Sequence, residues 1–235
     1  MQSISLVWTE NVDELEIRFG LAAIQEIAGD LQLASFYKGL HGAAPTVNVF
    51  GNWAIPAMPE GAPYTSLQWY IDQSYDRGHG SVIGSKLLDI VLNEPWQRSN
   101  AHYDLLLIGQ KLLPTHRHAP NEQSLALSVP GRATVISTAP LRQIGDNRMR
   151  LFTIRRVVGH QLGHLFGIPR AARQDATTSA DGERHCLQVC AMREANDLDQ
   201  LVELSAEEAK AKVLLCPECW QDLLTVMADS YFGVN

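Results

Sequence analysis

A chain of 235 residues is long enough to bury one sizeable core, and its formal charge of -7, from 26 acidic against 19 scattered basic residues, excludes nucleic acid as a general partner. The first residues carry no positive leader ahead of an apolar run, and no apolar stretch approaches the roughly 18 residues that cross a bilayer. A soluble, cytoplasmic protein with no membrane partner is expected.

The elements alternate from the start. ISLVWT (4 to 9) reads as a strand, and Asn11 is positioned to cap a helix whose apolar face carries Leu15, Leu21, Ile24 and Ile27. PTVNVF (45 to 50) is a second strand, and the Pro- and Gly-containing stretch 51 to 68 reads as a surface loop. From Ser81 to Leu92 the residues Val82, Leu87, Leu88, Val91 and Leu92 share a helical face. YDLLLI (103 to 108), SLALSV (124 to 129) and ATVIST (133 to 138) complete a set of short apolar strands. The fold class expected is α/β (α+β), a sheet with helices packed against it.

The segment Val157 to Arg170, VVGHQLGHLFGIPR, carries the first chemistry. At about 100° per residue, His160 and His164 lie roughly 40° apart on a helix spanning about 150 to 166. Ile154, Val158, Leu162 and Leu165 fall on the far side and face a core. Gly163 leaves room beside the histidines, and Gly167 can take the positive φ that ends a helix. One zinc ion within reach of both imidazoles is the reading, although an isolated His-x-x-x-His pair is weak evidence. His41, His79, His102, His116 and His118 read as structural or solvent-facing.

Residues 171 to 184, small and polar without periodicity, read as an exposed loop. Ser205 followed by Glu208 forms a capping-box signature before the helical stretch AEEAKAKVL, whose charges read as a solvated face, and Trp220 to Phe232 reads as a final amphipathic helix. Between these lie all four cysteines. Cys186 and Cys190 are separated by three residues, Cys216 and Cys219 by two, with 25 residues between the pairs. Four thiolates can close a tetrahedral zinc site with no open position, and such a site would staple a segment too short to bury much core. Buried thiols or a redox Cys-x-x-Cys are the alternatives.

Taken together, His160-Gln-Leu-Gly-His164-Leu-Phe-Gly167, His185-Cys186, Cys190-Ala-Met192 and Cys216-Pro-Glu-Cys219 resemble the archaemetzincins, a family of zinc-dependent metallopeptidases. Their signature runs His-Glu-x-x-His-x-x-Gly-x-x-His, then Cys, a second Cys with Met two residues on, and a distal Cys-x-x-Cys. The resemblance is strong over 149 to 221 and weaker upstream, at Arg77-Gly78 and at ATVIST before Leu141-Arg142. It implies a metzincin-like mixed sheet over residues 1 to 170 with an active-site helix, an inserted surface loop at 171 to 184, and a third ligand with a four-cysteine zinc subdomain over 185 to 235. It further implies two zinc ions per chain, a turn placing Met192 beneath the first of them, and a peptide or protein substrate laid along ATVIST.

Three departures stand out. Arg170 occupies the place of the third histidine, and a guanidinium cannot ligate zinc. The His-Cys adjacency at His185-Cys186 implies an insertion of about fifteen residues, a length that costs little in closure entropy, with His185 as third ligand. The first cysteine pair has three intervening residues where the family has four. Gln161 stands at the general-base position, where a glutamate would take a proton that an amide cannot accept; Glu183, just before His185, is the one candidate for a substitute base. The resemblance therefore implies a zinc metallopeptidase impaired by Gln161, or a catalytically inactive peptide- or protein-binding module on the same scaffold.

Overall fold

The computed structural model describes residues 1–52, 66–115, 124–179 and 182–233. The expected loop at 51 to 68 lies for the most part outside the described residues, as do His116 and His118.

The chain opens with β1 (Ile4–Trp8), α1 (Glu14–Tyr37) and β2 (Val47–Gly51). The cap of α1 is Asp13, not Asn11: its carboxylate accepts from Leu15 N while Glu16 reaches back to Asp13 N, a complete capping box. Asn11 instead accepts from the Thr9 hydroxyl, and its carbonyl receives Arg142. Next come α2 (Leu67–Ser74), β3 (Tyr75–Asp76), β4 (Ser81–Ile83), α3 (Gly84–Leu92) and α4 (Pro95–Ser99). The helix expected from Ser81 thus starts at Gly84, because Val82 and Ile83 pair in parallel with Leu112 and Leu113 of β6 (Leu112–Leu113), which follows β5 (Tyr103–Ile108).

The next elements are β7 (Ala126–Val129), β8 (Ala133–Ser137) and α5 (Asn147–Leu165), then the short strands β9 (Ala176–Thr178) and β10 (Arg184–Cys186), and finally α6 (Leu198–Ala211) and α7 (Pro217–Phe232). Residues 171 to 184 are therefore not all irregular: β9 and β10 pair antiparallel, with His185 opposite Thr177. Ser205 is not a cap. Asp197 caps α6 by accepting from Gln200 N, and Ser205 lies inside the helix with its hydroxyl on Leu201 O. Glu208 is not solvated either, being buried with its carboxylate 2.9 Å from Arg156 Nε of α5. Desolvation raises its pKa to about 7 against the pull of Arg156.

The main sheet has the order β2-β1-β5-β8-β7, with the first four strands parallel and β7 antiparallel to β8. β8, the expected peptide-binding strand, is paired on both sides. Among the described residues the free edge beside it belongs to β7.

Alternation along the strands divides the core into two layers. Ile4, Leu6, Leu105, Leu107 and Ile136 face α1, α5 and the C-terminal elements; Val7, Leu106, Ile108, Ala133 and Val135 face α2 and α3. Strands covered on both faces need an unbroken apolar run, which Leu105 to Ile108 of YDLLLI supply. His102 is buried on this framework, its Nε2 3.1 Å from Asp104 Oδ1, while His79 pairs with Asp76 at 2.9 Å. No helix among the described residues is long and apolar enough to cross a membrane.

Candidate metal centres

Helix α5 carries the first centre. Asp146 caps it by accepting from Arg148 N and Met149 N, and Ile154, Val158, Leu162 and Leu165 are fully buried on its core side. The helix ends in a Schellman motif: Ile168 N donates to Gly163 O and Gly167 N to His164 O, with Gly167 at φ +76. This stop fixes the last turn, and with it the ring of His164.

His160 and His164 face each other with Nε2 atoms 3.0 Å apart. His160 Nδ1 donates to Ala191 O at 2.7 Å, which fixes the tautomer and leaves Nε2 with its lone pair toward the centre. Burial, reinforced by the charges of His164 and Arg156, pushes the His160 pKa well below its ordinary value, so its ring is neutral. His185 closes on the pair, its ring centroid 5.2 Å from that of His160 and 5.1 Å from that of His164. Its Nδ1 lies 3.8 Å from Glu194 Oε2.

Glu183 joins them, with Oε2 3.4 Å from His164 Nε2. One donor atom from each of His160, His164, Glu183 and His185 fits within 4.8 Å of the others. Three imidazoles and a carboxylate with converging acceptor atoms form a donor set suited to a divalent cation.

Gln161 is buried one step along the helix from His160. Its Oε1 accepts from the Ser128 hydroxyl of β7 and lies 3.1 Å from the Thr134 hydroxyl of β8. Ser128 and Thr134 sit opposite each other in the sheet register, on the face that meets α5. Arg170 points elsewhere: its N–H donates to Asp222 and its guanidinium pairs with Asp229 at 2.9 Å, both on α7.

The second centre lies beyond the same hairpin. Cys186, Cys190, Cys216 and Cys219 are all buried and reduced, with one Sγ from each within 4.8 Å of the others. Cys186 and Cys216 are 3.6 Å apart, close to the about 3.8 Å expected between sulfurs sharing a tetrahedral ion at about 2.3 Å. Backbone N–H groups of Gln188, Met192 and Cys219 donate to the sulfurs of Cys186, Cys190 and Cys216, each at 3.4 Å. The crowding splits the four acids. Hydrogen bonds from Cys190, Cys216 and Cys219 pull Cys186 far below an ordinary thiol, whereas Cys219 is driven far above one by Cys186, Cys190 and Cys216. A cation at the middle would let all four ionise together.

Sequence reasoning missed Arg173. Its guanidinium donates to Cys219 Sγ at 3.2 Å and Cys186 Sγ at 3.3 Å, and is held by Asp175 at 2.6 Å and Asp222 at 3.3 Å. A lone arginine in a polar stretch carries no local signal for this, nor do Ser128 and Thr134 for Gln161.

Met192 lies under α5, fully buried where a Cβ added at Gly163 would overlap its Sδ. The room that glycine leaves beside the histidines is room for this methionine.

Sheet, histidine-bearing helix and cysteine cluster together define a mixed α/β fold with two candidate metal centres. That fold is the one found in archaemetzincins. The archaemetzincin AmzA of Methanopyrus kandleri superimposes with a TM-score of 0.56 at 18% identity, covering 97% of this chain and 96% of that one. AmzA of Archaeoglobus fulgidus, solved in complex with malonate, gives 0.53 at 13% identity over 94% of this chain and 99% of that one. No protein-family model matches the chain, and no curated protein matches it.

Proposed function

We propose that the chain is an archaemetzincin-like zinc metallopeptidase with impaired chemistry. His160, His164 and His185 would hold one zinc, and Cys186, Cys190, Cys216 and Cys219 a second, structural one. The observation that carries this reading is the convergence of His160 and His164 with His185, which lies across a long excursion of the chain. Zinc at the histidine centre would supply Lewis-acid polarisation of a peptide carbonyl and an activated water.

The protein groups account for the impairment. Gln161 stands where the resemblance places the general base, and its Oε1 is engaged by Ser128 and Thr134. Its remaining polar group is an NH2 that only donates. No proton can be taken up there, and a missing general base costs about 10² to 10⁴ in rate. A peptide substrate would add to the edge of β7 that is free among the described residues, its backbone pairing as a further strand. Ser128 joins that strand to α5, so such a peptide would run past the histidines.

Gln161 also favours a second reading, a non-catalytic peptide-binding module on the same scaffold. Metal analysis with peptide hydrolysis by the native chain and by Gln161→Glu separates the two. Two zincs per chain and a gain of about 10² or more in cleavage on Gln161→Glu are expected. Two zincs with no cleavage of a broad peptide library by either form would establish the module instead.

A further inference from the structure

The histidine centre contains one donor more than the proposed function uses. We infer that Glu183 is its fourth ligand, so that the metal centre is closed at rest by this one side chain, which stands just before β10. This inference rests on the zinc reading above and adds to it a device controlling access.

The geometry follows from strand alternation. Along a strand, side chains two apart share a face. Glu183 stands one residue before β10 and still pairs with Ser179, so the alternation carries through it: Glu183 and His185 point together toward α5, while Arg184 and Cys186 point the other way, Arg184 Nη2 to Arg173 O at 2.8 Å and Cys186 into the sulfur cluster. Glu183 leads into β10, its carbonyl accepting from Ser179 N at 2.9 Å and Ser179 Oγ at 3.0 Å. Its backbone is thus anchored, and its side chain, only 28% exposed, reaches inward.

The spacing suits ligation. Donors sharing a tetrahedral zinc at about 2.0 to 2.1 Å lie about 3.3 to 3.4 Å from one another. Glu183 Oε2 and His164 Nε2 are 3.4 Å apart. A three-histidine, one-carboxylate set also leaves a divalent ion with a single net positive charge. Catalytic zinc sites keep one position open, whereas sites with four protein ligands are closed. Glu183 therefore acts as a displaceable cap, and a chelating group on a ligand must compete with it for the ion.

The test uses the zinc-loaded full chain, Glu183→Ala, Glu183→Gln and His164→Ala. Calorimetric titration with acetohydroxamate, a bidentate zinc binder, reads whether a position is open, and competition with a chelator reads zinc retention. Both Glu183 variants are expected to bind acetohydroxamate at least about ten-fold more tightly than the native chain, and to yield the histidine-site zinc to chelator at least about ten-fold more readily. Equal acetohydroxamate affinity and equal zinc retention in native and variant chains would overturn the cap while leaving the zinc reading intact. If His164→Ala holds as much zinc as the native chain, the histidine centre binds none, and the functional reading falls with the inference built on it.

Discussion

At the scale of single residues, position 163 shows how little freedom the histidine centre leaves its surroundings. Met192 Sδ occupies the place a side chain would take there, and Ile168 Cγ1 stands 3.3 Å from the same point. Interiors this dense answer an added methyl with displaced neighbours, at about 1 to 3 kcal/mol. The Met192 backbone is anchored, its N–H donating to Cys190 Sγ and its carbonyl accepting from Cys186 N, so the side chain alone must give way. Gly163→Ala is therefore expected to destabilise the metal-loaded protein by about 1 to 3 kcal/mol in urea denaturation. Met192→Ala should cost less in that variant than in the native chain, because the two substitutions share one contact and couple by about 0.5 to 3 kcal/mol. Strict additivity would mean that the methionine is not what glycine makes room for.

Among the elements, β10 is the one on which both centres depend. His185 and Cys186 are neighbours in sequence but face opposite ways, so one short strand feeds the histidines on one side and the sulfurs on the other. Arg173, from the segment before β9, supplies the positive charge next to two of those sulfurs. Outer partners of this kind typically change metal affinity by about 10- to 100-fold. Arg173→Ala should thus raise zinc loss from the cysteine centre by that factor in chelator competition, with Arg173→Lys in between, and no change would leave the arginine a merely structural role. The sequence made the candidate ligands legible as clusters, because His160, His164 and the four cysteines carry their chemistry in their spacing. YDLLLI could be read as a strand because Leu105 to Ile108 form the apolar run that cover on both faces demands, and the one buried carboxylate in it, Asp104, is paired with His102 and Gln97. What stayed hidden was decided at long range. Ser205 and Glu208 carry a local capping signature, yet the partner that places Glu208 is Arg156, 52 residues earlier. Glu183 was legible only as a possible base, because its proximity to His164 depends on a hairpin whose short strands have no periodic signal.

For the molecule as a whole, the two faces of the sheet differ in their share of the proposed ligands. Cys186, Cys190, Cys216 and Cys219 belong to the same core layer as Ile154, Val158 and Leu162, and α7 enters that layer through Leu223 and Met227. Across the sheet, Val7, Leu106 and Val135 pack with α2 and α3 and include none of the proposed ligands. Stripping the proposed zinc would leave four crowded thiols and remove the link between β10 and the first turn of α7, where Cys216 caps the helix. Binding that favours the folded state stabilises by about 4 kcal/mol at a free-ion concentration a thousand times Kd. For a chain of this size that corresponds to roughly 8 to 16 °C in Tm, so chelation should lower Tm by an amount of that order. The loss should also be local. In hydrogen exchange after chelation, amides of β10 and the first turns of α7 are expected to lose protection, while those of β5 and β8, held between two apolar layers, keep theirs. Simultaneous loss in β5 and α7 would show instead that the metals hold the whole sheet together, making the cysteine centre the keystone of the fold and not a staple for its C-terminal end.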